Sequence, residues 1–330
     1  MPTVQNDTPS YASNPDRNLA LEIVRATEAA AIRAVPFIGR GDKLGADGAA
    51  VDAMRTFLGT VNFDGVVVIG EGEKDEAPML FNGEHVGNGA GPQCDIAVDP
   101  IDGTSLTATG RPNAISMIAV SDRGTMLDAS SVFYMDKMVT GPEGHGVVHL
   151  DQSVGDNIRE LAKAKGKPVA DIRVAVLDRP RHAGLIEEIR AAGAHTRLLL
   201  DGDVAGGINA ARSEHRVDMC IGTGGSPEGV ATACAIKALG GFIQGRLAPK
   251  TDEERERGLA AGLKFGYVYS ADELVSGDNT LFVATGVTDG ELVAGVATNG
   301  PIVSTSSIIF RSHSGTVRRI QADHLRERWL

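Results

Sequence analysis

After a polar start, the stretch "DRNLALEIVRATEAAAIRAV" places Leu19, Ile23, Val24, Ala31 and Val35 on one helical stripe, which Pro36 closes. "GAAVDAMRTFLGTVNF" repeats the spacing with Val51, Met54, Leu58 and Val61 and predicts a second helix. The period then changes. "GVVVIG", from Gly65 to Gly70, is a β-branched run that predicts a buried strand, and "CDIAVDP" predicts another. "NAISMIAVSD" and "SVFYMDKMVTG" read as longer strands bounded by Gly, Pro or Asp.

The second half alternates. "IRVAVLDRPRHAGLIEEIRAAGAHTRLLLDGD" reads as strand, loop, helix with a stop at Gly193, and strand. "VDMCIGTGGSPEGVATACAIKALGG" repeats strand, loop and helix, with Pro227 in the first helical turn and Gly240 at the stop. Thr251 and Glu254 form a capping-box pattern for one more helix, and the C-terminal region predicts two strands around a turn at Ser314-Gly315. Alternating strands and helices predict an α/β protein with layers of helices and mixed sheets. Without repeats or low-complexity tracts, the chain divides into a polar tail at 1–15 and two halves, 16–160 and 161–330, with a soft boundary between 150 and 170.

Charge narrows the partners. The 330 residues carry a formal net charge of −11, so nucleic acid and anionic membranes are excluded as partners, and an anionic substrate needs a local cationic device. Cys94, Cys220 and Cys234 are odd in number and lie in apolar surroundings, which predicts buried thiols in a reducing compartment. The first residues lack a secretory pattern, and no apolar run approaches the ~20 residues of a membrane span. A cytoplasmic protein with a frayed N-terminus is expected.

The chemistry lies in acids at element ends. Asp47 precedes the second predicted helix, Glu71 and Glu73 follow a strand, Asp99 ends a strand with Asp102 in the turn after it, and Glu228 sits between a strand and a helix. Each alone has an ordinary structural reading as a turn former, a solvated acid or a partner of a helix dipole. As a cluster of oxygen ligands they suit Mg²⁺ or Mn²⁺, whose charge reverses the local field for an acidic substrate. No His/Cys cluster suggests a zinc site.

The acids also belong to one ordered set of motifs. "GRGDKLGADGAAVDAMR", "VVIGEGEKDEAPML", "VDPIDGT", "FYMDKMVTGP", "DRPRHAGLI", "DGDVAGGI", "GGSPEGV" and "SGTVRRIQ" follow one another from Gly39 to Gln321, within a similarity that runs from about residue 16 to 324. Together they resemble the class II fructose-1,6-bisphosphatases, within the metal-dependent sugar and inositol phosphatases that share the "DPIDGT" motif. The W-D-x-x-A-G motif of inositol monophosphatases is absent, since the single tryptophan is Trp329.

The resemblance implies a sugar-phosphatase fold and two or more Mg²⁺ or Mn²⁺ ions. Asp47 and Glu71 would bind one, and Asp99, Asp102 and Glu228 would serve the second or bridge; many relatives have Glu where this chain has Asp102. The N-terminal half would be the metal-binding half, with the C-terminal half supplying substrate contacts and one ligand. The sugar and distal phosphate would meet Asp102, Gly103, Thr104, Tyr134, Arg179, Pro180, Arg181, Asp201, Gly202, Asp203 and Gly225. Residue chemistry agrees in part: N–H groups at Gly103 and Thr104 can face phosphate, and the Arg179 and Arg181 guanidinia are forked donors.

The implied reaction is hydrolysis of the 1-phosphate of fructose 1,6-bisphosphate, a gluconeogenic step. A metal-activated water would attack in line, oriented by Thr104 with its hydroxyl hydrogen-bonded to an acid such as Asp47. Sedoheptulose 1,7-bisphosphate and inositol phosphates are the alternative substrates, and a homodimer or homotetramer is implied. Three rival classes fit less well. Aspartyl-phosphate chemistry needs acids two residues apart, whereas Asp99 and Asp102 are three apart. "GTGGSPEG" and "GEGEKD" each lack the third glycine of a dinucleotide fingerprint. A non-enzymatic sugar-phosphate sensor would have no need of all five carboxylates.

Overall fold

The computed structural model describes residues 19–72, 79–214 and 216–329, so the expected tail and Glu73 lie outside the described residues. The strands are β1 (Asp64–Ile69), β2 (His85–Val86), β3 (Gln93–Asp102), β4 (Ile115–Asp122), β5 (Tyr134–Thr140), β6 (Arg173–Leu177) and β7 (His195–Leu199). They continue with β8 (Met219–Gly225), β9 (Phe242–Leu247), β10 (Tyr269–Ser270), β11 (Leu281–Gly286), β12 (Ala297–Asn299), β13 (Ile302–Arg311) and β14 (Thr316–Leu325). The helices are α1 (Leu19–Ala34), α2 (Lys43–Leu58), α3 (Thr104–Thr109), α4 (Val154–Ala164) and α5 (Ala183–Ala191). After them come α6 (Asp203–Ala211), α7 (Ser226–Leu239), α8 (Asp252–Ala260) and α9 (Ala271–Leu274).

Two mixed sheets result. One has the order β12-β13-β11-β4-β3-β1-β2 with β14 also on β13; the other runs β10-β9-β5-β8-β6-β7. Pairing is parallel at β1/β3, β6/β7 and β6/β8 and antiparallel elsewhere.

Side-chain alternation along the strands builds the layers. On β3, Ile96 and Val98 join one core cluster with residues of α1 and α2, while Ala97 faces a second cluster. Met117 and Ala119 on β4 and Phe282 and Ala284 on β11 also face that second cluster, where α6 and α7 are buried between the sheets. On the other sheet, Met135 and Val139 of β5 point to this shared core. Met138 turns to a third cluster with α4 and α5. The order is helix, sheet, helix, sheet, helix, so central strands are apolar on both faces and read as continuous runs.

The two halves expected from sequence do not map onto separate sheets. β5 crosses from the first half into the six-stranded sheet, and β11 to β14 return to the eight-stranded one. Two local expectations also change. Asp47 lies inside α2 rather than before it, because Asp42 caps the helix by accepting from Gly45 N at 2.8 Å. Asp102 is still on β3, whose pairing with β4 continues past an irregularity between Asp99 and Asp102.

Several elements were not predicted. α4 falls in the stretch read as a boundary, although Val154, Ile158, Leu161 and Ala162 are its buried stripe. α6 contains Gly206 and Gly207 and resembles a turn in sequence. Its glycines answer to packing: a Cβ on Gly206 would lie 2.5 Å from Leu199 Cδ1. Half of the expected α8 capping box forms, with Thr251 Oγ1 accepting from Glu254 N at 3.2 Å; the Glu254 carboxylate accepts from Lys250 N at 2.7 Å in place of Thr251 N.

Candidate active site

One cleft of about 590 Å³ is lined by all five predicted carboxylates, Asp47, Glu71, Asp99, Asp102 and Glu228. Their convergence follows from strand direction. β1 and β3 are parallel neighbours, so Glu71, just past β1, and the end of β3 open on the same edge. β8 runs directly into α7 and places Glu228 in that helix's first turn. In a regular strand, residues three apart face opposite sides; the irregularity between Asp99 and Asp102 lets both line the cleft.

The acids are crowded and poorly neutralised. Burial, then Asp47 and Glu228, push Glu71 up to about 8. Burial followed by the neighbouring carboxylates, Asp102 first, raises Asp99 well above the carboxylate range. Burial, then Asp203 and Glu228, raises Asp102, with Lys137 opposing. Burial raises Glu228, again against Lys137, and burial alone raises Asp47. Ile101 N donates to Asp99 Oδ1 at 3.0 Å, yet Asp102 Oδ2 and Glu228 Oε2 are buried with no hydrogen-bond partner among the described residues.

This donor set suits a hard divalent cation. It is all oxygen, and its two orphaned oxygens and suppressed ionisation are what a positive charge between them would relieve. No group of three or more His, Cys, Asp or Glu side chains among the described residues forms a ready metal cage. Mg²⁺ does not need one, since it is commonly held by one or two carboxylates with waters and substrate phosphate.

A pH prediction follows. Because the folded pKa values are raised, the metal-free protein binds more protons folded than unfolded between the ordinary carboxylate range and about 8. Its stability is fully present below that window and is lost as pH rises through it. The melting temperature of chelator-treated protein should fall across pH 5 to 8, and Mg²⁺ or Mn²⁺ should raise it more at the upper end. Scanning calorimetry checks this; a cation effect independent of pH would contradict it.

Thr104, Gly103 and Asp201 also line the cleft. Gly103 has φ +98°, a left-handed geometry that lets the chain turn from β3 into α3. Thr104 Oγ1 makes no hydrogen bond among the described residues, so the expected bond to Asp47 is not formed; catalytic bonds are commonly long before substrate arrives.

The other predicted substrate residues border the cleft without lining it. Arg179 donates to Asp201 Oδ1 at 3.0 Å and to the Leu200 carbonyl, tying the loop at Pro180 to Gly202 and its neighbours. Arg181 donates to the Thr223 carbonyl at 2.8 and 3.0 Å and stacks over Tyr134 at 5.2 Å. His182 pins the same loop: its Nε2 accepts from Thr223 N and its Nδ1 bonds to the Leu177 carbonyl, both at 2.8 Å. Asp203 pairs with Lys137 at 2.7 Å, and the Gly225 carbonyl accepts from that lysine at 3.0 Å.

Sequence reasoning missed three cations. Lys137 is buried among the acids, Lys43 stands on the cleft wall with Nζ 2.8 Å from Ser105 Oγ, and Lys250 lies 3.7 Å over the Tyr134 ring. Lys43 and Lys137 sit inside the quoted motifs, one residue from Asp42 and Asp136, which was the available signal.

Residues 17–324 match the family described as bacterial fructose-1,6-bisphosphatase, glpX-encoded. The chain belongs to that family. It is 43% identical over 325 residues to fructose-1,6-bisphosphatase 1 class 2 of Escherichia coli strain K12, covering 94% of this chain and 96% of that one. The class 2 enzyme of Shigella flexneri matches at the same identity and coverage. Among solved structures, an extragenic suppressor from Pyrococcus furiosus aligns over 58% of this chain and 68% of that one at 17% identity. Its TM-score of 0.27 carries no argument about fold.

Family membership makes Gly225 testable. A Cβ there would lie 1.7 Å from Glu228 Oε2, so Gly225→Ala must displace that carboxylate. Phosphatase activity should fall by about 10²-fold, the scale of a small misplacement in a catalytic site, with folding preserved by circular dichroism. Unchanged activity would remove Glu228 from the machinery.

Proposed function

We propose that this protein hydrolyses the 1-phosphate of fructose 1,6-bisphosphate, giving fructose 6-phosphate and phosphate. The single observation that carries the reading is the convergence of Asp47, Glu71, Asp99, Asp102 and Glu228 on one cleft in a chain of this family. Those five carboxylates would hold Mg²⁺ or Mn²⁺. When bound, such cations supply Lewis-acid stabilisation of phosphoryl oxygens and lower the pKa of water.

The chain's own groups do the rest. Thr104 Oγ1, at the start of α3, orients the attacking water and passes its proton toward Asp47. Backbone N–H groups at Gly103 and Thr104 hold the reacting phosphate. Arg179 and Arg181, already braced by Asp201 and the Thr223 carbonyl, turn their remaining donors to the distal phosphate. Tyr134, Asp201, Gly202, Asp203 and Gly225 form the sugar side. The active form is a homodimer or homotetramer.

Phosphate release from fructose 1,6-bisphosphate, sedoheptulose 1,7-bisphosphate and an inositol phosphate, with Mg²⁺, Mn²⁺ or chelator, tests the reading. Release from the first substrate that stops with chelator is expected. Bisphosphate binding without release in either metal would favour a sensor and overturn the proposal.

A further inference from the structure

A second cavity, of about 290 Å³, opens where α6 ends. It shares no lining residue with the carboxylate cleft, and α6 separates its wall at Arg212 from Asp203 by roughly 13 Å of helix. Four segments supply its charged groups. Glu143 comes from the turn after β5, Lys165 from the end of α4, Arg212 and Glu214 from the residues after α6, and Arg319 from β14.

The charges in this cavity are incompletely paired. Arg212 is only 7% exposed, and its Nη1 is buried with no hydrogen-bond partner among the described residues. Its Nη2 pairs with Glu214 Oε1, the same oxygen that Arg319 Nη2 approaches at 2.5 Å. Two guanidinia therefore share one carboxylate oxygen. Burial, then the neighbouring Arg319, lowers Arg212 to about 10, the direction expected where cations crowd with too little counter-charge. Across the cavity, Lys165 Nζ lies 3.6 Å from Glu143 Oε2, which is itself buried without a hydrogen bond.

A ligand that completes these groups needs an anionic end and a donor. A purely structural Arg212 would have closed its fork on a carboxylate, because an unpaired buried guanidinium donor is costly. A bridging water can serve one donor but adds no negative charge to balance the second guanidinium. The volume lies at the lower end for small-molecule pockets.

We propose that this cavity binds a small metabolite bearing a phosphate or carboxylate group and a hydroxyl or amino donor. The anionic group meets Arg212 and Arg319, and the donor faces Glu143. The inference is independent of the activity proposed above, because it concerns binding at residues outside the cleft.

Calorimetric titration of the full chain with inorganic phosphate and with malate tests it and separates the two anion sources. Saturable binding of either probe is expected. Arg319→Gln and Arg212→Lys should each weaken it at least tenfold, and this Arg319-dependent component should persist in Arg179→Gln/Arg181→Gln, which removes only phosphate bound at the carboxylate cleft. Arg319 has a side chain 64% exposed, so its variant folds even where a change at Arg212 does not; thermal melting verifies this. The proposal is overturned by no saturation up to tens of millimolar, by unchanged affinity in Arg319→Gln, or by loss of binding only in the Arg179/Arg181 variant.

Discussion

Thr104→Ala is expected to lower kcat by about 10³-fold while KM for the bisphosphate changes little. The side chain lines the carboxylate cleft, but its hydroxyl supports no other described residue, so its removal should leave the fold intact. Gly103 starts α3 without any side-chain cap, and Thr104 lends the helix no capping bond that alanine would forfeit. Thr104→Ser, which keeps the hydroxyl, should retain most activity. Steady-state kinetics with substrate binding measured separately make the test. An alanine enzyme with near-normal turnover would take Thr104 out of the chemistry and leave the water to another group.

Lys137→Met should cost about 3–5 kcal/mol of stability, the scale for breaking a buried ion pair by removing one partner. Lys137 and Asp203 have side chains 8% and 13% exposed and lie 2.7 Å apart. The lysine also satisfies the Gly225 carbonyl and is the cation that opposes the upward pKa shift of Asp102 and Glu228. Its loss strands Asp203 beside acids that are already crowded. Replacing both members, in Lys137→Met/Asp203→Leu, should recover much of the loss, since a packed apolar pair need not solvate a charge. Urea denaturation of the single and double variants decides the matter. A single variant as stable as the parent would show that the pair is dispensable.

Both experiments turn on groups whose visibility in the sequence differs. Thr104 follows "DPIDG" and was legible with the acids, because a strand end, a glycine turn and a helix start are local signals. Lys137 was not, although it stands in "FYMDKM". On a strand, a lysine flanked by Asp136 and Met138 reads as a solvated position, and only the antiparallel pairing of β5 with β8 sets it opposite Gly222, within reach of the Gly225 carbonyl. His182 was hidden in the same way. Its role depends on Leu177 and Thr223, one close in sequence and the other on a different strand.

The fold shows the same division. α1, β1, β3, β6, α5 and α7 were readable from apolar spacing and from Gly and Pro at their ends. α6 was not, because glycine inside a helix has low propensity and only close packing against Leu199 and Thr232 selects it there. β11 was not, although its buried residues form the same kind of continuous run that revealed β3; a short apolar run does not by period alone declare itself a strand. The soft boundary was read at 150 to 170, yet β5 pairs with β8 and β9 across it, and β11 with β4.

Alone, the sequence determined the types of the strongly periodic elements, the acidic balance and the kind of ligand five carboxylates can hold, since these follow from composition and local period. Tertiary structure decided which acids share one cleft, which oxygens lack partners there, and that Arg212 and Arg319 meet at a second cavity. Those outcomes depend on sheet order and on burial, and both arise from contacts between segments far apart along the chain.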